Sequence, residues 1–408
     1  MKAYAVIGMN YGDEGKGHIT NYLSDANTLN VRFNGGAQAS HAVFLSDGRS
    51  HVFHHFGAGS LRGARTLLAS HFIVNPVIFA WEMQDLVSKA PMREIFVDPR
   101  CRVTTPYDML INEFSSQSNG KKTTVGVGIN ETVERSVYQQ LRINIRDFIE
   151  KTDDELTDTL KTIENEYLPF RIKELGLSQD DFAAYISMKM GKGTPIESFL
   201  KIREWMASRI LVMWPDDGVV DKFLAKDQNR KVVFEAGQGM LLDQHRKEFM
   251  PYLTRSNTGL QNVLELLKTV KTKLDLTVYL VTRAYLSRHG DGPLWNHIPN
   301  TLPFQEIDDP TNPENAYQGK MRYGYINRKW YDDAISETEN LVAKNRPTCL
   351  DNAEVAVAMT CLDHVGSQFF YSKNGTGNFI EGDPLTFPRI KLVSYGNMET
   401  NIHEGTLL

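Results

Sequence analysis

Two carboxylates and a lysine lie in one glycine-rich segment, YGDEGKGH at residues 11–18. The segment follows the apolar run AYAVIGM at residues 3–9, which has the composition of a buried strand. A glycine loop between a strand and a helix commonly binds phosphate, because the free backbone N–H groups at a helix N-terminus attract anions. A carboxylate in such a loop repels phosphate, so Asp13 and Glu14 need an explanation of their own.

The loop matches the phosphate-loop pattern G-x-x-x-x-G-K-[ST] only in part. Asn10 stands where the first glycine belongs, and Gly17 stands where the hydroxyl-bearing residue belongs. The pattern by itself therefore allows two interpretations, a degenerate phosphate loop or a plain glycine turn between a strand and a helix. The absence of Ser or Thr after Lys16 also argues against a simple GTPase switch.

The composition excludes several classes of protein. Of the 408 residues, 41 % are hydrophobic and 23 % are charged, and the net charge of −5 gives no basic field for nucleic acid or an anionic membrane. The three cysteines, Cys101, Cys349 and Cys361, lack the spacing of a zinc site or a disulfide framework and fit a reducing compartment. We find no secretory signal and no run approaching about 18 apolar residues. We therefore expect a cytoplasmic protein, in the host cytoplasm if its source is viral.

Short apolar strands alternate with amphipathic helices along the chain, which predicts an α/β fold with a mainly parallel sheet. The predicted strands are 3–9, 30–34, 94–98, 231–237, 276–285, 354–362 and 389–395, and the predicted helices include 75–90 and 257–273. Residues 145–215 are charged and lack strand signals, and their helical spacing indicates a helical insertion. We predict one domain over residues 1–408, with a large, mostly parallel sheet flanked by helices and interrupted by helical and loop insertions.

The string YGDEGKG closely resembles the W-G-D-E-G-K-G signature of the adenylosuccinate synthetase family, which joins IMP and aspartate using GTP. Further segments resemble the motifs of this family in the same order, RFNGGAQASHA (32–42), FHHFGAGSL (53–61), FEAGQGMLLD (234–243), PYLTRSNT (251–258) and AYLSRHGDGPL (284–294). The resemblance implies a degenerate phosphate-loop NTPase-like fold and a C–N ligase of purine biosynthesis. It also implies Mg2+ as a cofactor and a homodimer with substrate sites near its interface.

The resemblance gives Asp13 and His41 the catalytic roles. Asp13 would take the N1 proton of IMP as a general base, so that O6 can attack the γ-phosphate of GTP. The amine of L-aspartate would then displace phosphate from C6. His41 would donate to O6 and to the transferring phosphoryl group, where negative charge develops. Asp13, a backbone carbonyl near Ser40 and phosphate oxygens would hold Mg2+.

The other site residues implied by the resemblance form three groups. Those expected at the donor nucleotide are Gly12, Glu14, Gly15, Lys16, Gly17, Asp363, Ser394 and Gly396. Those expected at the purine monophosphate are Gln38, Thr123, Thr124, Arg135, Gln238 and Thr254, with Arg135 the candidate to reach the IMP of a partner subunit. Those expected at the amino acid are Arg288, Lys320 and Arg322. The alternative for Thr123 and Thr124 is a pair of turn hydroxyls, and the alternative for Arg288 is a surface ion pair.

Three segments depart from the family pattern. Gln38 replaces an asparagine near the purine, Lys320 replaces an arginine of the aspartate loop, and Cys361 replaces the lysine of the guanine-reading T-K-L-D. An arginine fork binds a carboxylate through two hydrogen bonds, and a lysine cannot reproduce that geometry. Asp363 can still accept from guanine N1–H and its 2-amino group. GTP therefore remains the expected donor, and aspartate the expected amine.

Two alternatives stay open. Some viral relatives of the family make 2-aminoadenylosuccinate from dGMP, and they replace the loop aspartate with a small residue. Because Asp13 is retained here, IMP or dIMP is favoured, but the changes at Gln38 and Lys320 leave dGMP, with ATP or GTP as donor, as the alternative. A nucleotide-binding regulator without turnover is the second alternative, and the retained Lys16 and His41 argue against it.

Overall fold

The computed structural model describes residues 1–120, 124–191, 193–214, 217–298, 307, 314, 319–365, 369–373 and 379–405. Its strands are β1 (Lys2–Gly8), β2 (Thr28–Arg32), β3 (His41–Phe44), β4 (Ser50–Phe53), β5 (Arg65–Leu68), β6 (Ile73–Val74), β7 (Ile95–Val97), β8 (Arg102–Val103), β9 (Leu211–Val212), β10 (Lys231–Gly239), β11 (Leu274–Arg283), β12 (Leu286–Arg288), β13 (Arg322–Gly324), β14 (Ile326–Asn327), β15 (Leu350–Thr360), β16 (Phe370–Ser372), β17 (Phe379–Glu381), β18 (Ile390–Ser394) and β19 (Ile402–Glu404).

The helices are α1 (Lys16–Leu23), α2 (Pro76–Leu86), α3 (Pro106–Asn119), α4 (Ile129–Arg135), α5 (Ile145–Glu150), α6 (Asp153–Thr162), α7 (Leu168–Glu174), α8 (Gln179–Met190), α9 (Pro195–Ala207), α10 (Val219–Leu224), α11 (Gln261–Leu267), α12 (Arg328–Lys344) and α13 (Leu362–Val365). A short π-helical segment, Ile163–Tyr167, joins α6 to α7. In the described part of the chain, no helix is both long enough and apolar enough to cross a bilayer.

One sheet dominates the molecule, and among the described residues it contains ten strands in the order β19-β18-β15-β11-β1-β10-β2-β5-β7-β9. Neighbouring strands run parallel throughout, except that β19 is antiparallel to β18. The predicted α/β fold with a large, mostly parallel sheet is confirmed, and every predicted strand lies in this sheet. The apolar runs that predicted these strands are buried because helices and loops cover the sheet.

The centre of the sheet brings four strand ends to one edge. Gly8, at the end of β1, pairs with Gly239 of β10 and with Val281 of β11. Arg283, at the end of β11, pairs with Thr360, the last residue of β15. Because these strands are parallel, the segments that follow them meet at the same edge, which is where open α/β sheets bind ligands.

The two larger of four hydrophobic clusters among the described residues hold the layers together. One lies between the central strands and α11 and α12, and the other joins α2 and α3 to the helices α5–α9. The helices expected between residues 145 and 215 are therefore present and share the second cluster with residues such as Tyr107. The strand Leu211–Val212, which pairs with β7, was not predicted because two residues carry no readable alternation. The division into one domain with an insertion stays a prediction.

Candidate active site

The glycine loop between β1 and α1 owes its shape to three glycines. Gly12 and Gly15 have φ values of 113° and 88°, in the left-handed region that side chains disfavour. Gly17 lies in α1, where an added Cβ would stand 2.7 Å from Cβ of His41. The third glycine therefore allows the start of β3, which carries His41, to approach the helix closely.

Glu14 points into its own loop. Its carboxylate accepts from the backbone N–H groups of Asn10 at 3.0 Å and Gly12 at 2.7 Å, and it lies 3.3 Å from Nζ of Lys16. The side chains of Lys16 and Glu14 are 0 % and 3 % exposed. Nζ of Lys16 also donates to the carbonyl of Gly12. The oxygens of Glu14, which was expected at the donor nucleotide, are thus engaged by the loop itself.

Asp13 points the other way. Its side chain is 30 % exposed, and Nδ1 of His289 lies 4.0 Å from its carboxylate. Its backbone carbonyl accepts from Nε of Arg283, which fixes the residue to the end of β11. The two adjacent carboxylates are thus separated by position, and Asp13 is the one left available to a ligand.

His41 is held by a buried carboxylate. Its Nδ1 lies 2.5 Å from Oε1 of Glu235, and within the described residues its buried Nε2 has no partner. Burial lowers the pKa of His41, and Glu235 opposes this effect. Burial alone would raise the pKa of Glu235, but Arg32, His41 and the N–H of Ala58 hold it below its usual range. The carboxylate is therefore ionised.

Glu235 and Arg32 were not among the residues singled out from the sequence. Both are fully buried, and Nη1 of Arg32 lies 3.8 Å from Oε1 of Glu235. The available signal was a charged residue inside an otherwise apolar strand, NVRFN for Arg32 and KVVFEAG for Glu235. A fully buried charge needs a partner, so each of the two indicated that an opposite charge lies near it.

Two glutamine amides meet beside the loop. Nε2 of Gln38 is 3.4 Å from Oε1 of Gln238, while Oε1 of Gln38 is buried without a partner in the described structure. Gly35 leaves the space for them, because an added Cβ there would lie 2.8 Å from Oε1 of Gln238. Buried polar atoms are nearly always hydrogen-bonded, so this unpartnered amide oxygen, like Nε2 of His41, marks a surface that a ligand would complete.

The residues expected at the amino acid lie on a β-ribbon next to this edge. Arg288 of β12 and Arg322 of β13 are opposite each other in register. Arg288 is buried over the ring of Tyr11 and donates to the carbonyls of Pro293 and Tyr252, so it is not a surface ion pair. Lys320 is 77 % exposed.

The residues expected at the donor base are divided. Asp363 lies in the first turn of the short helix α13, with a side chain that is 38 % exposed and 3.7 Å from Nε2 of His364. Ser394 is buried, where it bonds His18 and donates to the carbonyl of Gly396. Gly396 leaves room for Asn401, since an added Cβ would lie 2.7 Å from its Oδ1. The side chain of Asp363 is therefore accessible to a ligand, whereas that of Ser394 is enclosed by neighbouring residues.

Two of the residues expected at the nucleotide phosphate, Thr124 and Thr254, lie among the described residues. The hydroxyl of Thr124 donates to Oδ1 of Asn112 at 2.9 Å and accepts from the N–H of Gly126, which is a turn role. Thr123 lies outside the described residues. Thr254 is partly buried, and its N–H donates to the carbonyl of Leu242.

Arg135 is enclosed within the chain. Its side chain is fully buried, and its guanidinium bonds Asp108 at 2.8 Å and the carbonyls of Leu141 and Val103. These contacts occupy the guanidinium within one chain, whereas the expected role needs it to reach a nucleotide on a partner subunit. The helix α4 places Arg135 against α3 rather than on the surface.

A metal would depend on the substrate for ligands. Among the described residues, no three His, Cys, Asp or Glu side chains are grouped to hold an ion. The carboxylate of Asp13 and the carbonyl of exposed Ser40 are hard oxygen donors of the kind that Mg2+ prefers. They fit a Mg2+ ion that completes its shell with phosphate oxygens.

A family model described as adenylosuccinate synthetase matches residues 5–311 of the chain. The adenylosuccinate synthetase of Borrelia duttonii is 25 % identical over 384 residues, which is 91 % of this chain and 82 % of the relative. That of Lactobacillus acidophilus is 30 % identical over 298 residues, which is 72 % of this chain and 64 % of the relative.

Two solved structures resemble the fold. The fully ligated adenylosuccinate synthetase of Plasmodium falciparum superposes with a TM-score of 0.67 at 16 % identity, covering 98 % of this chain and 99 % of that one. The succinoaminodeoxyadenylate synthetase of cyanophage S-2L, bound to dGMP and dATP, gives a TM-score of 0.61 at 11 % identity, covering 99 % and 95 %. At these identities the likeness establishes the fold alone.

The position of Arg135 leads to a stability prediction. Arg135→Met leaves Asp108 buried without its cation, which should lower the free energy of unfolding by about 3–5 kcal/mol. Chemical denaturation followed by circular dichroism measures the loss. Arg146→Met is the matched control, because the pair of Arg146 with Glu150 is exposed and is worth no more than about 1 kcal/mol. Normal stability with a raised KM for the purine monophosphate would contradict the structural role.

Proposed function

The chain belongs to the adenylosuccinate synthetase family of C–N ligases, and we propose that it joins L-aspartate to C6 of IMP or dIMP at the expense of GTP. The observation that carries the proposal is that the two adjacent carboxylates of the loop have different environments. The carboxylate of Glu14 is engaged by backbone N–H groups of the loop, while the carboxylate of Asp13 is partly exposed and available to a ligand. A carboxylate in that position can serve as a base, which a loop used only for phosphate binding has no need of.

The reaction would proceed in two displacements. Asp13 takes the proton from N1 of the purine, and the negative charge passes to O6. O6 then attacks the γ-phosphorus of GTP, the bond from phosphorus to the bridging oxygen breaks, and GDP leaves. The amine of aspartate adds at C6 of the 6-phosphoryl intermediate, and inorganic phosphate departs with the former O6. His41 would act at O6 and the phosphoryl oxygens, where charge develops.

Other groups of the site would bind and orient the substrates. Gln38 and Gln238 offer amides to the purine monophosphate, and Arg288 and Arg322 lie on the ribbon where the aspartate carboxylates would bind. Asp13 and the carbonyl of Ser40 would hold Mg2+, which when bound offsets the charge of the phosphates. We further propose a cytoplasmic homodimer, with an arginine other than Arg135 as any contact across the interface.

Conversion of dGMP with ATP or GTP is the second candidate. It is supported by the loss of the arginine at Lys320 and of the lysine at Cys361, which alter the amino-acid and donor positions. The retained Asp13 argues against it, because a guanine 2-amino group would compete with this carboxylate for space. The two candidates therefore differ in which purine monophosphate is converted.

A substrate panel tests the proposal. The purified protein is given IMP, dIMP, GMP or dGMP, each with GTP or ATP, in the presence of L-aspartate and Mg2+, and products are identified by mass spectrometry. We expect a succinyl adduct from IMP or dIMP that requires every component. Product from dGMP alone would establish the second candidate. Hydrolysis of GTP without ligation would indicate a switch, and binding without turnover a regulator.

Replacing Asp13, the proposed general base, should abolish turnover without abolishing nucleotide binding. Asp13→Asn is nearly isosteric but cannot take the N1 proton, so kcat should fall on the order of 10²-fold or more. Affinity for nucleotides, measured by calorimetry, should stay within about tenfold. Asp47→Asn, on an exposed turn, is the control and should leave kcat unchanged. Retention of most of the turnover by Asp13→Asn would disprove the general-base role.

The donor preference should depend on Asp363. Its carboxylate can accept from guanine N1–H and the 2-amino group, and each charge-assisted hydrogen bond is worth about 1.5–3 kcal/mol. GTP should therefore exceed ATP by on the order of tenfold to a thousandfold in kcat/KM. Asp363→Asn should erase most of that preference, since an amide can rotate to serve adenine. Parallel kinetics with GTP, dGTP, ATP and dATP provide the measurement, and a better rate with ATP or dATP would show that Asp363 does not read the base.

A further inference from the structure

A fully buried charge chain lies beneath the imidazole of His41. Arg32, Glu235 and His41 follow one another on β2, β10 and β3, with 3.8 Å from Nη1 of Arg32 to Oε1 of Glu235 and 2.5 Å from that same oxygen to Nδ1 of His41. The second carboxylate oxygen of Glu235 accepts from the N–H of Ala58 at 2.9 Å. Both oxygens of Glu235 are thus engaged, and neither faces the ligand side of His41.

The charge of Glu235 decides which nitrogen of His41 carries a proton. An ionised carboxylate can only accept hydrogen bonds, so the nitrogen that contacts it must be the one bearing hydrogen. Arg32 balances the charge at a position with no access to water, where a lone carboxylate would otherwise be unstable. In the neutral imidazole, Nδ1 is therefore protonated and Nε2 carries the lone pair. Nε2 is also the atom that lacks a partner within the described chain.

We propose that Glu235, supported by Arg32, is a positioning residue that fixes the tautomer of His41 and aims its Nε2 at the reacting oxygens. The assignment of a task to Nε2 rests on the proposed ligase function, whereas the tautomer does not. His41 then meets the substrate through Nε2 only, and it can donate a hydrogen bond there only after Nε2 has itself been protonated. Carboxylates in this position orient histidines in other enzymes by the same means.

The first experiment reads the tautomer without substrate. In protein carrying 15N-labelled histidine, two-bond proton–nitrogen correlation spectra distinguish a protonated ring nitrogen from a bare one, and His41→Asn identifies the signals of His41. We expect protonated Nδ1 and bare Nε2 in the unmodified protein, and loss of this pattern in Glu235→Gln, whose amide can donate to Nδ1. A protonated Nε2 in the unmodified protein, or an unchanged pattern in Glu235→Gln, would overturn the proposal.

The second experiment measures coupling in the reaction. Glu235→Gln should lower kcat by on the order of 10²-fold with KM for the monophosphate within a few-fold, and it should cost at most a few-fold more in a His41→Asn background. Independent, multiplicative losses would overturn the positioning role. Glu131→Gln, another buried carboxylate, paired with Arg171, is the control and should multiply independently.

A third variant guards against misfolding. Glu235→Asp keeps the charge opposite Arg32 but shortens the reach to Nδ1, so it should retain the tautomer and give a kcat between those of the other two proteins. If Glu235→Gln does not fold, the proposal is tested on Glu235→Asp, by its histidine spectrum and by its kinetic coupling to His41→Asn. A loss of kcat in Glu235→Asp that is independent of His41 would overturn the proposal. If the unmodified protein proves inactive as a ligase, the kinetic arm fails with the proposed function while the spectrum still tests the tautomer.

Discussion

The hydrogen bonds of Glu14 to the backbone of its own loop are the interaction on which the candidate site depends. Two N–H groups and the ammonium of Lys16 converge on this one buried carboxylate, and the loop closes around it. Gly8 must lack a side chain for the same reason, because an added Cβ would lie 2.4 Å from Oε2 of Glu14. Because the side chain of Glu14 points into the loop, that of the preceding residue, Asp13, points away from it. An acidic pair that is puzzling in a phosphate loop thereby becomes one structural and one available carboxylate.

The loop is in turn fixed to the ends of the neighbouring strands. Thr360, at the end of β15, donates to the carbonyl of Glu14 at 2.8 Å, and Arg283, at the end of β11, donates to the carbonyl of Asp13. Asn10 bonds Thr282 of β11 through its amide. These side-chain bonds hold the loop to the sheet, so the backbone of Asp13 has a defined position relative to the ends of β11 and β15.

The role of a charged residue in this protein depends on how deeply it is buried and on what it contacts. Glu235 and Arg32 are charged and inaccessible, and they act on His41 rather than on a ligand. Asp108 and Arg135 form another buried pair, and there both partners serve the packing of α3 against α4. Lys16 is also enclosed, so contact with a phosphate would require it to exchange its present partners for the ligand. A charge in this protein is therefore informative only together with its exposure.

The sequence by itself determined the sheet, because strands buried on both faces consist of continuous apolar residues. Those apolar runs can be recognised without a structure. It also determined the glycine loop and, through the motif that the loop carries, the family. Gly12, Gly15 and Gly17 are each required there by backbone geometry or by close approach of a neighbour. Only the tertiary structure decided that Glu14 braces the loop while Asp13 is partly exposed, that Arg135 is enclosed, and that Glu235 faces His41. Those outcomes depend on partners that are distant along the chain, such as Glu235 and His41 on β10 and β3, and no local pattern records which of them will meet.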